Sequence, residues 1–531
     1  MDSVFDYKWG NKVVTGEERP EKPGFANFIN SHKFVTMLNK HITLRDMIAI
    51  HCDVDVDGIG TGYILGRFMQ QLTNQRPIYI INRDKEHGIS QRHVDYFKGR
   101  GLGLMIIVDS SSNELDVIKG FDCDVLVIDH HEISHTELCG KTNDGKHEFV
   151  IVNNTLDNPS SLEIKELYKS LNGNAEENQL TSYKSDDRMS CGLVVYELLR
   201  IYQYIYHLGD VLENLRLYQW SGVTLFTDSI TLNTPRNQWY IENTVHSMET
   251  EPTLKTLVNT LNSFKISLDK STISYTLAPV INKAIRAGAS GEVLSTIVNN
   301  PNRIDSFLKF REAQENAINI GITGINEYDS YILRDMSNTN VHKNYNGVIA
   351  SRLCGEHRKN TVVFKVTDGI AEGSFRGRLQ GVDYRGKFDS FGDNCIAQGH
   401  KAAFGFKCPV EMLQEIMSSL VSIEESENSG KYLLTAGKLN SENPGKFVID
   451  DMDEFKRQGG IWKLGVGNSK VNTDEQIMIT VKAADAELAE VRGKLYLYNV
   501  LGLQCKAFEP ISKPIIDIYI EFSRQIDCYI K

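Results

Sequence analysis

Four short apolar runs, Met47–Ile50, Leu104–Val108, Val125–Ile128 and Phe149–Val152, alternate with stretches of helical spacing, and each run stops abruptly on polar or ionisable residues. Unbroken apolar runs of this length read as strands buried on both faces, and helical patterns between them predict a mainly parallel sheet covered by helices. A fifth run, Val223–Phe226, is predicted to be a further strand. The runs end on His51 with Asp53, Asp55 and Asp57, on Asp109, on Asp129 to His131, on Asn153 and Asn154, and on Asp228. In an open parallel sheet the carboxyl ends of the strands line the ligand crevice, so these residues can converge although they are spread from 51 to 228.

A chain of 531 residues exceeds what one core normally holds, so several units are expected. The stretch from Leu171 to Ser190 is polar and predicts a surface insertion, after which helical spacing resumes over Cys191–Leu208. From Asn302 to about Leu333 helical spacing with two internal glycines predicts a long connector with a hinge. A second mixed α/β unit is expected from about Asn346 to Glu424, then a strand-rich tail with Ile477–Val481, Lys494–Val500 and Ile515–Ile520 as strands. The predicted division is 1–240, 241–335, 336–425 and 426–531. No apolar run approaches the roughly 20 residues of a membrane span, and Met1 to Arg19 lacks a basic-then-apolar signal, so no membrane association and a cytoplasmic location are expected. Nine scattered cysteines without a CxxC pair read as reduced packing residues.

The segment His51-Cys-Asp53-Val-Asp55-Val-Asp57-Gly58 carries the first chemical signal. Alternate residues of an extended segment share a side, so the three aspartates repel one another unless cations or donors compensate. Imidazole beside carboxylates suits manganese, and magnesium where oxygen ligands dominate. An isolated DxDxD is usually a solvated acidic turn. Here an apolar strand precedes it and a Gly-rich helix, Gly58 to Leu72, follows. Adjacent histidines such as His130 and His131 are, alone, more often capping groups than ligands. Their position after VLVI, beyond Asp109 at the end of LMIIV, makes the joint occurrence specific. The net charge of −11 argues against a protein that coats nucleic acid by charge alone, but metal-binding carboxylates contribute to that figure and a local basic groove is compatible with it.

HCDVDVDG, IIVDSSSN, VLVIDHHE and LFTDS resemble, in order, the four motifs of the DHH phosphoesterases. The resemblance extends to the RecJ-type single-stranded-DNA exonucleases through INRDKEHGI, MSCGLVVYELL and LAPVINKAIRAG, while NGVIASRL, GSFRGR and AQGHKAAFGF resemble the DHH-associated substrate-binding domain. Together these segments cover roughly positions 45 to 410. The resemblance implies a parallel-sheet DHH domain within 1–240, a helical interlobe region over 241–335, a smaller mixed α/β DHH-associated domain over 336–425 and a β-rich, OB-like C-terminal domain. It implies two Mn2+ or Mg2+ ions, one on His51, Asp55 and Asp109 and a second on Asp57, Asp109, His130 and Asp228, with Asp109 bridging. Two cations sharing a carboxylate can activate water and stabilise both oxygens of a phosphodiester displacement. His131 would lie beside the ions or touch the phosphate, and Asp53 would support the loop. Ser374, Arg376, Gly399, His400 and Lys401 are the expected phosphate contacts, and Asn82, Arg83, Asn282 and Arg286 the expected contacts to the strand.

The implied activity is 5′ to 3′ removal of mononucleotides from single-stranded DNA in repair, recombination or replication, with a single-stranded-DNA-binding protein as an expected partner. Two departures favour the alternative of a cyclic dinucleotide or short oligoribonucleotide as substrate: Gln398 stands where the associated domain has glycine, and Val280 where RecJ-like chains have arginine. A third reading is a silent scaffold, which complete retention of the expected metal ligands disfavours. LGVGNSK (464–470) lacks the GK[ST] ending of a phosphate loop and reads as a turn. Tyr496, Tyr498 and Phe508 are available either for base stacking or for core packing.

Overall fold

The computed structural model describes residues 22–83, 86–158, 160–173, 180–184, 188–228, 230, 234–246, 251–261, 273–357, 359–378, 383–392, 395–427, 437–439, 447–449, 477–482, 486–492, 495–500, 503–507, 509–512, 515–522 and 526–530. The chain divides into two compact units at Gln314/Glu315.

In the first unit β1 (Phe25–Asn27) and α1 (Ser31–Leu44) lead into β2 (Met47–Cys52), α2 (Val56–Thr73), β3 (Ile78–Ile81), α3 (Gln91–Phe97), β4 (Leu102–Val108), α4 (Leu115–Lys119), β5 (Asp124–Asp129), β6 (Cys139–Lys141) and β7 (Glu148–Asn153). The strand order is β3-β2-β4-β5-β7-β6, parallel except for the β6–β7 pair. All four apolar runs that opened the sequence are central strands. Their alternate residues enter two cores: Ile50, Ile106, Val108, Leu126 and Ile128 face α1 and α2, while Ala49, Met105, Ile107, Val127 and Ile151 face α3 and α4. Each such fully buried branched side chain contributes about 1.5–3 kcal/mol, which is why the runs show no polar alternation.

After α5 (Leu162–Asn172), β8 (Leu180–Ser182) pairs in parallel with β1, so part of the polar insertion is anchored. Helices α6 (Cys191–Ile205), α7 (Val211–Asn214) and α8 (Tyr218–Thr227) complete the layer over α2. The strand expected over Val223–Phe226 is therefore the end of α8. Its apolar run is buried against α2 and α6, and a continuous apolar stretch does not distinguish a buried helix from a buried strand. The long connector is also shorter than expected: a helix ends at Gly321 and Tyr331–Asp335 is a strand, because two glycines within four residues end the helical stretch.

The second unit contains β9 (Asn326–Glu327), β10 (Tyr331–Asp335), β11 (Asn360–Thr367), β12 (Ile370–Arg376), β13 (Ile396–His400) and β14 (Ala403–Pro409), ordered β13-β14-β12-β11-β10-β9. Helix Asn346–His357 lays Ile349, Ala350 and Leu353 on one face, and Tyr384, Phe388 and the helix from Leu413 cover the other. Beyond the short pair β15 (Gly437–Leu439) and β16 (Phe447–Ile449), the tail strands β17 (Ile477–Lys482), β18 (Ala486–Arg492), β19 (Leu495–Val500), β20 (Leu503–Ala507), β21 (Ile515–Phe522) and β22 (Ile526–Ile530) form a sheet ordered β17-β21-β22-β20-β19-β18. Tyr498 is buried there and its hydroxyl accepts the Ile511 N–H, so it is a core residue. Phe508 and 464–470 lie outside the described residues. All eight cysteines whose side chains are described are free thiols. Among the described residues no helix is long and apolar enough to cross a membrane.

Candidate metal centre

The polar residues that end β2, β4 and β5 meet one another and Asp228, which ends α8. Asp55 caps α2, its carboxylate accepting the Gly58 N–H at 2.9 Å. A Cβ on Gly58 would lie 2.6 Å from the Asp53 nitrogen, so glycine is required for the helix to begin so close to the aspartate loop. Asp57, two residues on, points at the start of α6 and accepts the N–H groups of Cys191 (2.8 Å) and Gly192 (2.9 Å) and the Thr61 hydroxyl (3.1 Å). A helix N-terminus favours an anion, yet burial, then Asp228 and Asp55, hold the Asp57 carboxyl well above its usual range. Asp109 stands in the left-handed region at φ 68°, with its N–H on the Ile128 carbonyl at 2.8 Å. Such a conformation costs a non-glycine residue about 1–2 kcal/mol, and Asp and Asn tolerate it best. Burial first, and Asp57 and Asp55 next, raise this carboxyl too.

His130 lies among these groups, with Nε2 3.1 Å from Asp109 Oδ1 and 3.9 Å from Asp57 Oδ2, and Nδ1 3.2 Å from Asp228 Oδ2. Burial lowers its pKa and favours the neutral imidazole that a metal needs. His51 is fully buried with neither ring nitrogen hydrogen-bonded, its ring edge-on to His93 at 5.0 Å. Burial and then His93 depress it to about 4. His131 behaves oppositely: burial alone would lower it, but Asp129 at 2.7 Å raises it to about 10.

Ligand atoms of three sets lie within 4.8 Å of one another: Asp57, His130 and Asp228; Asp109, His130 and His131; and Asp53, Asp55 and Asp109. Of the expected ligands, Asp57, His130 and Asp228 come together directly, and Asp109 joins through its contact with His130. Asp55 and Asp109 come together with Asp53 at the third corner, whereas His51 lies outside these sets. Asp53 is held by His87 Nδ1 at 2.6 Å and the Gly88 N–H at 3.1 Å. Buried carboxylates of raised pKa beside neutral imidazoles, one of them without a hydrogen bond, form a donor set deficient in positive charge. It fits a divalent cation.

Asn82 is buried and its amide donates to the Glu86 and Gly88 carbonyls at 2.9 and 2.6 Å, closing the loop that carries His87, while Arg83 is exposed. Arg286 donates to Gln314 at 2.8 Å, and Asn282 lies half-buried on the same helix as the buried Val280. In the second unit, register places Ser374, Gly405 and Gln398 in one row and Arg376, Ala403 and His400 in the next. A Cβ on Gly347 would lie 2.9 Å from an Arg376 Nη and 3.5 Å from Ser374 Oγ, so these side chains meet the first turn of helix Asn346–His357. Gly399, at φ 132°, packs on the Ala403 carbonyl, and Lys401 is exposed at the hairpin turn. Sequence reasoning did not find His87, His93 or the α6 N–H groups. Backbone donors carry no side-chain signature, and only Ser190 before Cys191, as a helix cap, marks where they stand.

Residues 47–147 match the family model described as DHH family, N-terminal domain. The single-stranded-DNA-specific exonuclease RecJ of Bacillus subtilis is 32% identical over 99 residues, which is 18% of this chain and 13% of that protein's length. RecJ of Thermus thermophilus, solved with Mn2+, superposes at TM-score 0.61 with 13% identity, covering 96% of this chain and 72% of the other. A second manganese-bound exonuclease RecJ gives 0.55 with 16% identity, over 75% and 94%. The fold is that of RecJ, and the likeness covers both units.

Proposed function

We propose that this RecJ-like member of the DHH family is a metal-dependent phosphodiesterase that removes mononucleotides from single-stranded DNA, starting at the 5′ end. The observation that carries this reading is the convergence of buried Asp57, Asp109 and His130 with half-buried Asp55 and Asp228, in overlapping sets of ligand atoms, at the carboxyl edge of the sheet. Two ions, Mn2+ or Mg2+, would be held there by these residues with His51. When bound they supply water activation and the positive charge that offsets charge developing on the phosphate oxygens. His131, kept protonated by Asp129, donates to a phosphate oxygen. Ser374, Arg376, Gly399, His400 and Lys401 hold phosphates along the strand, in the manner of Arg and backbone donors at a helix N-terminus. Arg83, Asn82, Asn282 and Arg286 border the path of the strand. DNA repair, recombination or replication, with a single-stranded-DNA-binding protein as partner, is the setting this reading implies.

The test is incubation with manganese and end-labelled single-stranded DNA, duplex DNA, RNA, dinucleotides and cyclic dinucleotides, beside Asp109→Ala. Mononucleotide release from the single strand, blocked when the 5′ end is duplex and abolished in the variant, is expected. Activity confined to dinucleotides and cyclic dinucleotides would replace this reading with that of a small-nucleotide phosphodiesterase. Equal activity in Asp109→Ala would refute the metal centre.

A further inference from the structure

The opposite end of the same sheet carries a second pattern. Arg76, Arg45 and Arg100 each stand two residues before a strand, β3, β2 and β4 respectively, and these strands are adjacent in the order β3-β2-β4. Neighbouring strands are about 4.8 Å apart, so three exposed guanidiniums start from neighbouring turns along one edge. Between the turns that carry Arg45 and Arg76 opens a cavity of about 370 Å³ with Ile48, Met69, Pro77 and Ile78 in its wall. Beside Arg100 the ring of Tyr96 is 58% exposed, with the guanidinium 4.5 Å from its centre on one face. Met47 and Leu44 add apolar surface, at 44% and 62% exposure.

The nearby carboxylates each have a partner other than these arginines, including Asp46, which lines the cavity together with its partner His41. Asp46 meets His41 Nδ1 at 2.7 Å, Asp124 is shared by Lys40 and His41, Asp122 accepts the Gly99 N–H and Asp95 accepts from Gln91. Arg76 makes one hydrogen bond, to Asn299, and Lys98 is exposed between Tyr96 and Arg100. Cations in a row, interleaved with exposed apolar and aromatic surface, match a ligand with repeated anionic groups and flat bases better than an isolated anion. The six residues of β2 put this edge about 20 Å from the carboxylate cluster, so it is not part of that site.

We infer that this amino-terminal edge is a second contact surface for single-stranded nucleic acid, with phosphates on Arg45, Arg76 and Arg100 and bases on Tyr96 and in the apolar cavity. The inference rests on the single-strand reading of the metal centre and extends it to the portion of the strand outside that centre.

The test uses the full chain, a labelled oligothymidylate of about 15 nucleotides, and anisotropy in chelator over a series of potassium chloride concentrations. Each phosphate contact on a single strand contributes about 0.7 to the slope of log affinity against log salt. Arg45→Ala/Arg76→Ala/Arg100→Ala is expected to lower the slope by about 2, Tyr96→Ala to weaken binding with the slope unchanged, and the triple Arg→Lys variant to retain the wild-type slope. With manganese, the triple alanine variant should show a raised KM and an unchanged kcat on the same strand. A wild-type slope and KM in the triple alanine variant would overturn the inference while leaving the exonuclease reading standing. Absence of strand hydrolysis by the wild type would instead remove that reading, whatever the slopes. Binding of polyglutamate as tight as that of the strand would assign the edge to an acidic polypeptide and overturn the inference as well.

Discussion

Replacing Asp109 by Asn should stabilise the metal-free protein and remove its response to metal. Asp109 Oδ1 and Asp57 Oδ2 lie 3.1 and 3.9 Å from the same atom, His130 Nε2, so they are at most 7.0 Å apart. At an effective dielectric of about 20, two ionised carboxylates at that limit repel by about 2 kcal/mol. Asparagine keeps the shape, tolerates φ 68° and removes one charge. In chelator at pH 8 the variant should unfold later by about 4–8 °C, at about 2–4 °C per kcal/mol. Because the folded-state carboxyls of Asp57 and Asp109 are raised, the folded protein binds more protons than the unfolded chain between the two pKa values. The wild type therefore gains stability as pH falls from neutral towards the unfolded value, and the gap between the two proteins should narrow. Manganese at 100 times its Kd should add about 2.7 kcal/mol to the wild type alone, reversing the order. Differential scanning fluorimetry across pH, with and without manganese, reads all of this. A variant no more stable than wild type in chelator, or one that keeps the full manganese shift, would refute the reasoning.

Gly58→Ala places a methyl 2.6 Å from the Asp53 backbone and should cost about 3 kcal/mol or more, read as a lower urea midpoint together with loss of the manganese shift. Glu197 is fully buried and meets Arg200 at 2.9 Å, Arg236 at 3.1 Å, the Tyr240 hydroxyl and the Ala26 N–H. Glu197→Gln leaves cations uncompensated and should cost about 3–5 kcal/mol at neutral pH. Burial alone would raise this carboxyl, but Arg200, Arg236 and the Tyr240 and Ala26 hydrogen bonds together hold it below its usual value, so its stabilisation is present above the unfolded pKa and is lost as pH falls through the folded one, and the difference should shrink in acid unfolding curves. His87→Ala deprives the buried Asp53 carboxylate of its 2.6 Å partner, costing about 1–3 kcal/mol and speeding tryptic cleavage at Arg83.

The sheet was legible because each buried strand is a dense apolar run that ends on the first residue to leave the core, and the same residues build the site. That is why Asp55, Asp57, Asp109 and His130 could be named from their neighbours in sequence. Asp228 converges with Asp57 and His130 as expected, although the element before it is a helix and not a strand. VTLF carries no period, and in α8 it is buried by α2 and α6 rather than by strands. The position of a terminal residue proved more robust than the conformation leading to it. What sequence did not reveal depends on tertiary approach: His87 reaching Asp53 across 34 positions, and the α6 backbone receiving Asp57 across 134.

Asp228 closes a constellation that begins at His51, with α6 and α8 emplaced between. A nascent chain that has emerged only as far as β7 already owns the sheet, the aspartate loop and both histidines, but it lacks the α6 N–H groups and the last carboxylate. Until α6 has been made, Asp57 lacks the Cys191 and Gly192 N–H groups that receive its carboxylate. On the proposed metal-centre reading, a chain truncated before Asp228 should therefore load metal poorly however well its sheet has formed.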